Sequence, residues 1–332
     1  MNTQIAPTTD ARQLDEAVEA AVLLLNAGFS VALPTETVYG LAGAAMNKEA
    51  LLRIFQSKER PIFNPLIVHL PSADWLDRVC VVSEEDRSLV ARLSATFWPG
   101  PLTIVLPRKG SVPDLATSGL PTVAVRVSAH PVFQRVITAF DQPLAAPSAN
   151  RFGRISPTAA AHVMAELDGR IHLIVDGGPT MHGIESTVVS VRGDSMWILR
   201  DGPVSAEQLK PFGKVGTGTA MPAQRPVAPG QLKSHYSPET RMLLLKPGVP
   251  PKIERPEPWG LLAFRTAENM GPYKHIEVLS ESGDLREAAA TLFAKLRALD
   301  AMCLQQIVAE PVPETGLGVA IMDRLRKAAG NA

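Results

Sequence analysis

Lys58 and Arg60 stand one residue apart, before Pro61 and Pro65 and a run that ends at His69. A point charge beside a planar fork suits a phosphate clamp. The same two cations could also cap a helix C-terminus, where the dipole favours positive charge. Arg126 lies in Thr122–Val127 with apolar neighbours on both sides. A semi-buried guanidinium there needs an anion, either a structural Asp or Glu or a ligand carboxylate. Thr35, Thr37 and Tyr39 follow directly on the apolar run Val31–Leu33. Open α/β sheets bind ligands at the carboxyl ends of strands, although hydroxyls there also cap strand-to-helix turns. In Ala145–Thr158, Ser148 and Asn150 supply neutral donors among small residues that admit close backbone approach. Ser156, followed by Pro157, is expected to open a helix whose N-terminus attracts anions. A glycine turn at Asp176–Pro179 and the segment Gly183–Val189 present Ser186 and Thr187, and Arg200 ends a short strand.

These groups share a style of chemistry. No G-x-x-x-x-G-K-[ST] loop, dinucleotide glycine turn, H-E-x-x-H pair or G-x-S-x-G elbow occurs. Hydroxyls and cations at strand ends, without a nucleophile–base pair, work by positioning and electrostatic stabilisation. That favours phosphoryl or nucleotidyl transfer over hydrolysis through a covalent intermediate.

The elements that must position these groups alternate. Asp10–Gly28 has helical apolar spacing, as do Lys48–Lys58, Ser83–Phe97 and Pro131–Phe140, and a further helix is expected to end near Leu167. Short apolar runs at Val31–Leu33, Leu66–Leu70, Leu102–Leu106, Val123–Val127, Ile171–Val175, Thr187–Val191 and Trp197–Leu199 read as strands. The alternation predicts an α/β domain over residues 1–210. Lys210–Pro238 is rich in Pro, Gly, Thr and Gln without apolar periodicity, so 211–239 reads as a linker or lid. A second, smaller α/β domain over 240–332 is expected. It has strands at Met242–Leu245, Leu261–Phe264, Ile276–Leu279 and Ile307–Ala309, and helices at Asp284–Asp300 and Val319–Lys327.

Composition narrows the function classes. The chain has 332 residues with 33 Lys+Arg against 33 Asp+Glu, which excludes a strongly basic polyanion binder while leaving room for a local basic groove. Cys80 and Cys303 have no metal-ligand spacing and form no disulfide framework, as fits a reducing cytosol. The first apolar stretch carries Asp15, Glu16 and Glu19, unlike a signal peptide. No apolar run approaches the roughly 18 residues of a membrane span. A cytoplasmic protein is expected.

Seven motifs, in order, resemble one family: PTETVYGL (34–41), KERPIFNPLIVH (58–69), WPGPLTIVL (98–106), TVAVRV (122–127), APSANRFGRISPT (146–158), GIESTVV (183–189) and ILR (198–200). Residues 14 to about 205 resemble the YrdC domain. With APGQLKSHYSP (228–238), the whole chain resembles the two-domain Sua5 proteins. Glu59 and Ala42 depart from the family, which often has glycine at both positions. The resemblance implies a YrdC-like twisted mixed-sheet domain with an open concave active-site face, plus a small Rossmann-like α/β C-terminal domain. It implies a nucleotidyltransferase that converts L-threonine, bicarbonate and ATP to threonylcarbamoyl-adenylate and pyrophosphate. A downstream transferase would then modify adenosine 37 of ANN-decoding tRNAs.

By the same resemblance Thr37, Arg126, Ala146 (through its backbone) and Ser186 would hold L-threonine. Lys58, Arg60, Asn64, His69, Thr122, Ser148, Ser156 and Arg200 match ATP-binding positions, and Lys58 and Arg60 would offset charge building on the α-phosphate. Mg²⁺ would accompany ATP, held mostly by substrate and water rather than by a protein cage. His235 and Tyr236 would reach back from the linker over the nucleotide, making the linker a lid that excludes water. Two other classes compete. A double-stranded RNA-binding module fits the fold, and weak RNA binding stays open. Neutral charge and the lack of an aromatic platform argue against RNA as the main ligand. The carbamoyltransferase of hydrogenase maturation carries a similar domain, but two lone cysteines exclude its four-cysteine zinc finger.

Overall fold

Short apolar runs that stop at proline or glycine become strands, and the amphipathic stretches between them become helices. The computed structural model describes residues 2–218, 236–246, 258–266 and 273–330. The first sheet contains β1 (Gln4–Pro7), β2 (Val31–Leu33), β3 (Gly40–Ala44), β4 (Ile67–His69), β5 (Leu102–Pro107), β6 (Thr122–Arg126), β7 (Leu144–Ala145), β8 (Leu173–Asp176), β9 (Thr187–Arg192), β10 (Ser195–Arg200) and β11 (Lys214–Thr217). Its order is β1-β8-β2-β3-β7-β4-β6-β5-β9-β10-β11, with parallel and antiparallel pairs mixed. The helices of this part are α1 (Ala11–Asn26), α2 (Lys48–Lys58), α3 (Leu76–Val79), α4 (Glu84–Phe97), α5 (Asp114–Thr117), α6 (Pro131–Phe140), α7 (Ala160–Leu167) and α8 (Ala206–Leu209). Sequence cues explain their ends. Asp10 accepts from the Gln13 amide at the start of α1, and Gly28, at φ +77, closes its C-terminus by donating to Leu25 O.

The second sheet has four parallel strands in the order β12-β15-β13-β14: β12 (Met242–Leu244), β13 (Trp259–Ala263), β14 (His275–Val278) and β15 (Gln306–Ala309). Helices α9 (Leu285–Asp300) and α10 (Leu317–Ala328) accompany it. Strand alternation splits the side chains. Leu262, Ile307 and Ala309 join the main core of this part, while Leu261, Ala263 and Val308 form a small cluster apart from it. The main core does not stop at the domain boundary, because Val38, Ile155 and Ile184 from the first sheet's loops are buried in it. Among the described residues no helix is long and apolar enough to cross a membrane.

Two local expectations are corrected. The segment after β2 leads into an antiparallel partner strand, β3, rather than into a helix. All five residues of Gly40–Ala44 are buried, and Gly40 lets the backbone pass 146–148, since a Cβ there would lie 3.2 Å from Ala146 Cβ. Ser156 does not open a helix: α7 starts at Ala160 with Ala159 as its cap. Other bonds draw 156–158 out, because Ser156 Oγ donates to Glu185, Pro157 O accepts from Tyr39 N and the Thr158 amide donates to His162 Nδ1.

Candidate active site

The loops after β2, α2 and β7 and the ends of β4, β6 and β10 converge on one pocket. Its lining includes Thr37, Arg60, His69, Arg126, Ala146, Ser148, Glu185, Ser186, Arg200 and Tyr236. Backbone bonds fix the loops to one another: Leu41 N donates to Pro147 O and Ala149 N to Tyr39 O, each at 2.8 Å. The Tyr39 hydroxyl faces elsewhere and donates to Gly178 O at 2.7 Å, anchoring the glycine turn.

At one end stands Arg126, held in register beside His69 by the parallel pairing of β4 and β6. Its anion is Glu36: Nη2 lies 2.6 Å from Glu36 Oε1, with both side chains at most 5% exposed. This contact is a close, buried ion pair. Arg126 also donates to Thr37 Oγ1 at 3.1 Å and to Gly100 O at 3.2 Å. Glu36 Oε2 accepts from Ser128 Oγ at 2.5 Å. Burial opposes the Glu36 charge, but Arg126 and Ser128 outweigh it and lower its pKa. His69 lies beneath, its ring 4.9 Å from Phe133, and neither nitrogen has a partner among the described residues. Burial, then the neighbouring Arg126, pushes its pKa down to about 3, so the ring is neutral.

The other end is richer in cations. Arg60 donates to two carbonyls, Asn64 O at 3.2 Å and Pro65 O at 2.9 Å. Burial and the nearby Arg200 lower its pKa to about 9. Arg200 donates twice to Ser186, to its carbonyl and its hydroxyl, both at 3.0 Å. Ser186 Oγ also lies 2.8 Å from Thr103 Oγ1. The pocket's carboxylate here, Glu185, is paired with Arg324 at 3.1 Å. Among the described residues Arg60, Arg126 and Arg200 line the pocket beside two carboxylates, Glu36, paired with Arg126, and Glu185, paired with Arg324. Arg60 and Arg200 at this end suit a polyanion.

The remaining sequence-derived residues are placed differently. Lys58, 1% exposed, stands behind the pocket and donates to Ser148 O at 2.5 Å and to Asn150 O. Burial first, and then Arg60, press its pKa well below the usual lysine value. Asn64 is buried, and both polar atoms of its side chain lack partners among the described residues. Thr122 opens β6, four residues upstream of Arg126, and does not line the pocket. Ser156 is wholly buried and spends its hydroxyl on Glu185 at 2.5 Å. Tyr236, at φ +64, lines the pocket and packs on Phe293 at 5.3 Å. His235 and most of the expected lid lie outside the described residues. Among the described residues no trio of His, Cys, Asp or Glu could hold a metal ion.

Sequence reasoning missed Glu36, Glu185 and Arg324. Both glutamates lie inside motifs singled out for their hydroxyls, and an acidic residue between apolar and hydroxyl neighbours was the available signal. Arg324 shares the buried face of α10 with Ile321 and Leu325, and a charge in that stripe is equally a signal.

Known proteins resemble both parts of the chain. The Sua5–YciO–YrdC family, described as telomere recombination, matches residues 23–202, and the threonylcarbamoyl-AMP synthase C-terminal domain matches 204–330. The threonylcarbamoyl-AMP synthase of Bacillus subtilis is 40% identical over 332 residues, 95% of this chain and 94% of its own. That of Pyrococcus abyssi is 38% identical over 323 residues, 94% of each chain. A Vibrio cholerae protein of the same name is 34% identical over 193 residues, 57% of this chain and 99% of its own. The crystal structure of P. abyssi Sua5 complexed with L-threonine superposes with a TM-score of 0.88 at 34% identity, over 99% of this chain and 98% of that one.

Proposed function

The chain belongs to the Sua5–YciO–YrdC family, and from that premise we propose that its pocket makes threonylcarbamoyl-AMP from L-threonine, bicarbonate and ATP. The observation that carries the reading is the asymmetry of the pocket. Arg126 and Thr37 sit beside a counter-charge at one end, and at the other Arg60 donates to carbonyls and Arg200 to Ser186. The first end suits a zwitterion. Its carboxylate meets the Arg126 fork, its hydroxyl or amine meets Thr37 and Ser186, and the Ala146 backbone forms the wall. The second end suits a triphosphate, with Arg60, Arg200, Ser148 and Tyr236 around it and Asn64 just outside the lining, while His69, expected among the ATP residues, lies beneath Arg126 at the first end. Thr122 and Ser156, away from the lining, would act from outside it. ATP enters as its magnesium complex, the ion carried by phosphate oxygens and water.

The chemistry needs no enzyme nucleophile. The threonine amine and bicarbonate condense to a carbamate with loss of water. A carbamate oxygen bonds to the α-phosphorus, the bond to the bridging oxygen breaks, and pyrophosphate leaves. Arg60 offsets the charge that builds on the phosphates. Lys58 holds carbonyls 148 and 150, so its contribution is the shape of the Ser148 loop, with its charge adding to the field at the α-phosphate. Lys58→Met should therefore lower kcat at least about tenfold while also weakening ATP. A raised KM with kcat unchanged would leave Lys58 a binding residue only. The adenylate would pass to a transferase that modifies adenosine 37 of ANN-decoding tRNAs. The direct test is pyrophosphate release from ATP with threonine and bicarbonate omitted in turn. Each omission should abolish release, and release that ignores both would end this reading.

A further inference from the structure

Arg324 is fully buried on α10, among Ile321, Met322 and Leu325. A guanidinium taken out of water there is costly unless every charge about it is matched. Its partners lie across the domain boundary. Nε meets Glu185 Oε2 at 3.1 Å, and Nη1 donates to Asp201 O at 2.7 Å and to its neighbour Asp323 at 3.0 Å. The guanidinium carbon stands 5.6 Å from the Tyr236 ring centroid. Glu185 in turn takes the Ser156 hydroxyl at 2.5 Å.

The two first-sheet points that Arg324 holds bracket the nucleotide end of the pocket. Glu185 precedes Ser186, and Asp201 follows Arg200, which itself donates twice to Ser186. A second arginine from the same domain reinforces the grip. Arg297 of α9 donates to Ile155 O, next to Ser156, and to Glu166 at 3.1 Å. Gly183 lets α9 come this close: it has φ +68, and a Cβ there would lie 2.4 Å from Ala289 O and Ala290 O. Neither Arg297 nor Arg324 lines the pocket.

We propose that Arg324 is a positioning residue for the nucleotide half of the pocket, acting through Glu185 and Asp201 to set Arg200 and Ser156. The second domain thereby completes the phosphate end, while the threonine end is held within the first sheet. This rests on the nucleotide reading above.

The test uses the full chain. Affinities for magnesium-ATP alone and for threonine alone are measured by titration calorimetry, with melting temperature alongside. Arg324→Lys keeps a charge but cannot span both partners, and should weaken ATP about tenfold. Threonine should shift less, at most about threefold, since Arg126 and Thr37 are fixed elsewhere and only Ser186, beside Glu185, is shared. Arg324→Met with Glu185→Gln removes both charges together, so no buried ion is stranded. It should melt close to the wild type and still bind ATP at least about tenfold more weakly. Wild-type ATP affinity in that double variant overturns the proposal. So does equal weakening of ATP and threonine in step with a lower melting temperature, which would make Arg324 structural. Wild-type chain that binds ATP yet releases pyrophosphate without regard to threonine ends the synthase reading and leaves this one standing. A wild type that binds no ATP ends both.

Discussion

The two ends of the pocket solve the same problem, a buried arginine, in opposite ways. At the threonine end Arg126 is matched inside its own sheet by Glu36, which Ser128 steadies. At the nucleotide end Arg60 and Arg200 take carbonyls and a serine, and the nearby carboxylate, Glu185, is already held by Arg324 from the second domain. The first arrangement is close to neutral and suits a ligand that carries both charges. The second brings Arg60 and Arg200 together at the pocket wall, which suits a polyanion. A relative spanning 57% of this chain bears the same enzyme name as the full-length relatives. The extra length here supplies a second anchor for the phosphate end.

Breaking the pair at the threonine end should have the largest effect. Arg126→Met strands Glu36 at 4% exposure, and loss of one partner of a buried pair costs about 3–5 kcal/mol. Denaturant unfolding should show this loss, and threonine affinity should fall at the same time. Adding Glu36→Gln should return most of the stability without returning threonine binding. A double variant that binds threonine like the wild type would make Arg126 a counter-ion and nothing more.

The boundary between the two ends is probed by Gly183→Ala. The left-handed backbone alone costs about 1–2 kcal/mol for a residue with a Cβ. The methyl must also displace the α9 backbone, since its nearest atoms there are carbonyl oxygens at 2.4 Å. We expect a lower melting temperature and weaker ATP binding, with threonine affinity nearly kept. Threonine lost as strongly as ATP would show that the ends are not separately anchored.

How far the sequence reveals this division follows from where the partners lie. Arg60, Arg126, Ser186 and Arg200 stand out because each sits in a short motif whose neighbours are apolar, small or proline. Their surroundings are less visible. Ser128 is 92 positions from Glu36, and Arg324 is 139 from Glu185, so no local pattern joins them. Strands that are continuous apolar runs were legible, such as Leu102–Leu106 within β5. The two-residue β7 and the edge strand β1, which pairs with β8 about 170 positions away, were not, because neither carries a periodicity of its own. Ser156–Pro157 carried a valid helix-start signal that tertiary bonds to Glu185 and Tyr39 override.

The smallest effect concerns acid, and it separates the ends by titration. His69 is 2% exposed beside Arg126, with Glu36 as the nearby carboxylate. Burial first, then Arg126, lowers its pKa from 6.5 to about 3, and Glu36 only partly opposes them. In the unfolded chain the ring protonates near 6.5, so below that pH the unfolded state holds the extra proton. The stability from the neutral ring is therefore fully present above about pH 6.5 and is lost as pH falls toward 3. A single group of this kind tilts unfolding free energy by up to about 1.4 kcal/mol per pH unit. His69→Gln keeps a polar side chain of similar reach and removes the titration. Subtracting its unfolding free energy from the wild-type value cancels every other group, including His162, whose pKa burial and Arg297 lower to about 4. That difference should slope downward between pH 6 and pH 4 and be flat above 7. Threonine affinity of the folded protein should show no His69 titration between pH 6 and pH 4, because the folded ring stays neutral there. A flat difference across the whole range would mean that the ring reaches water, and that the threonine end is less sealed than its buried ion pair implies.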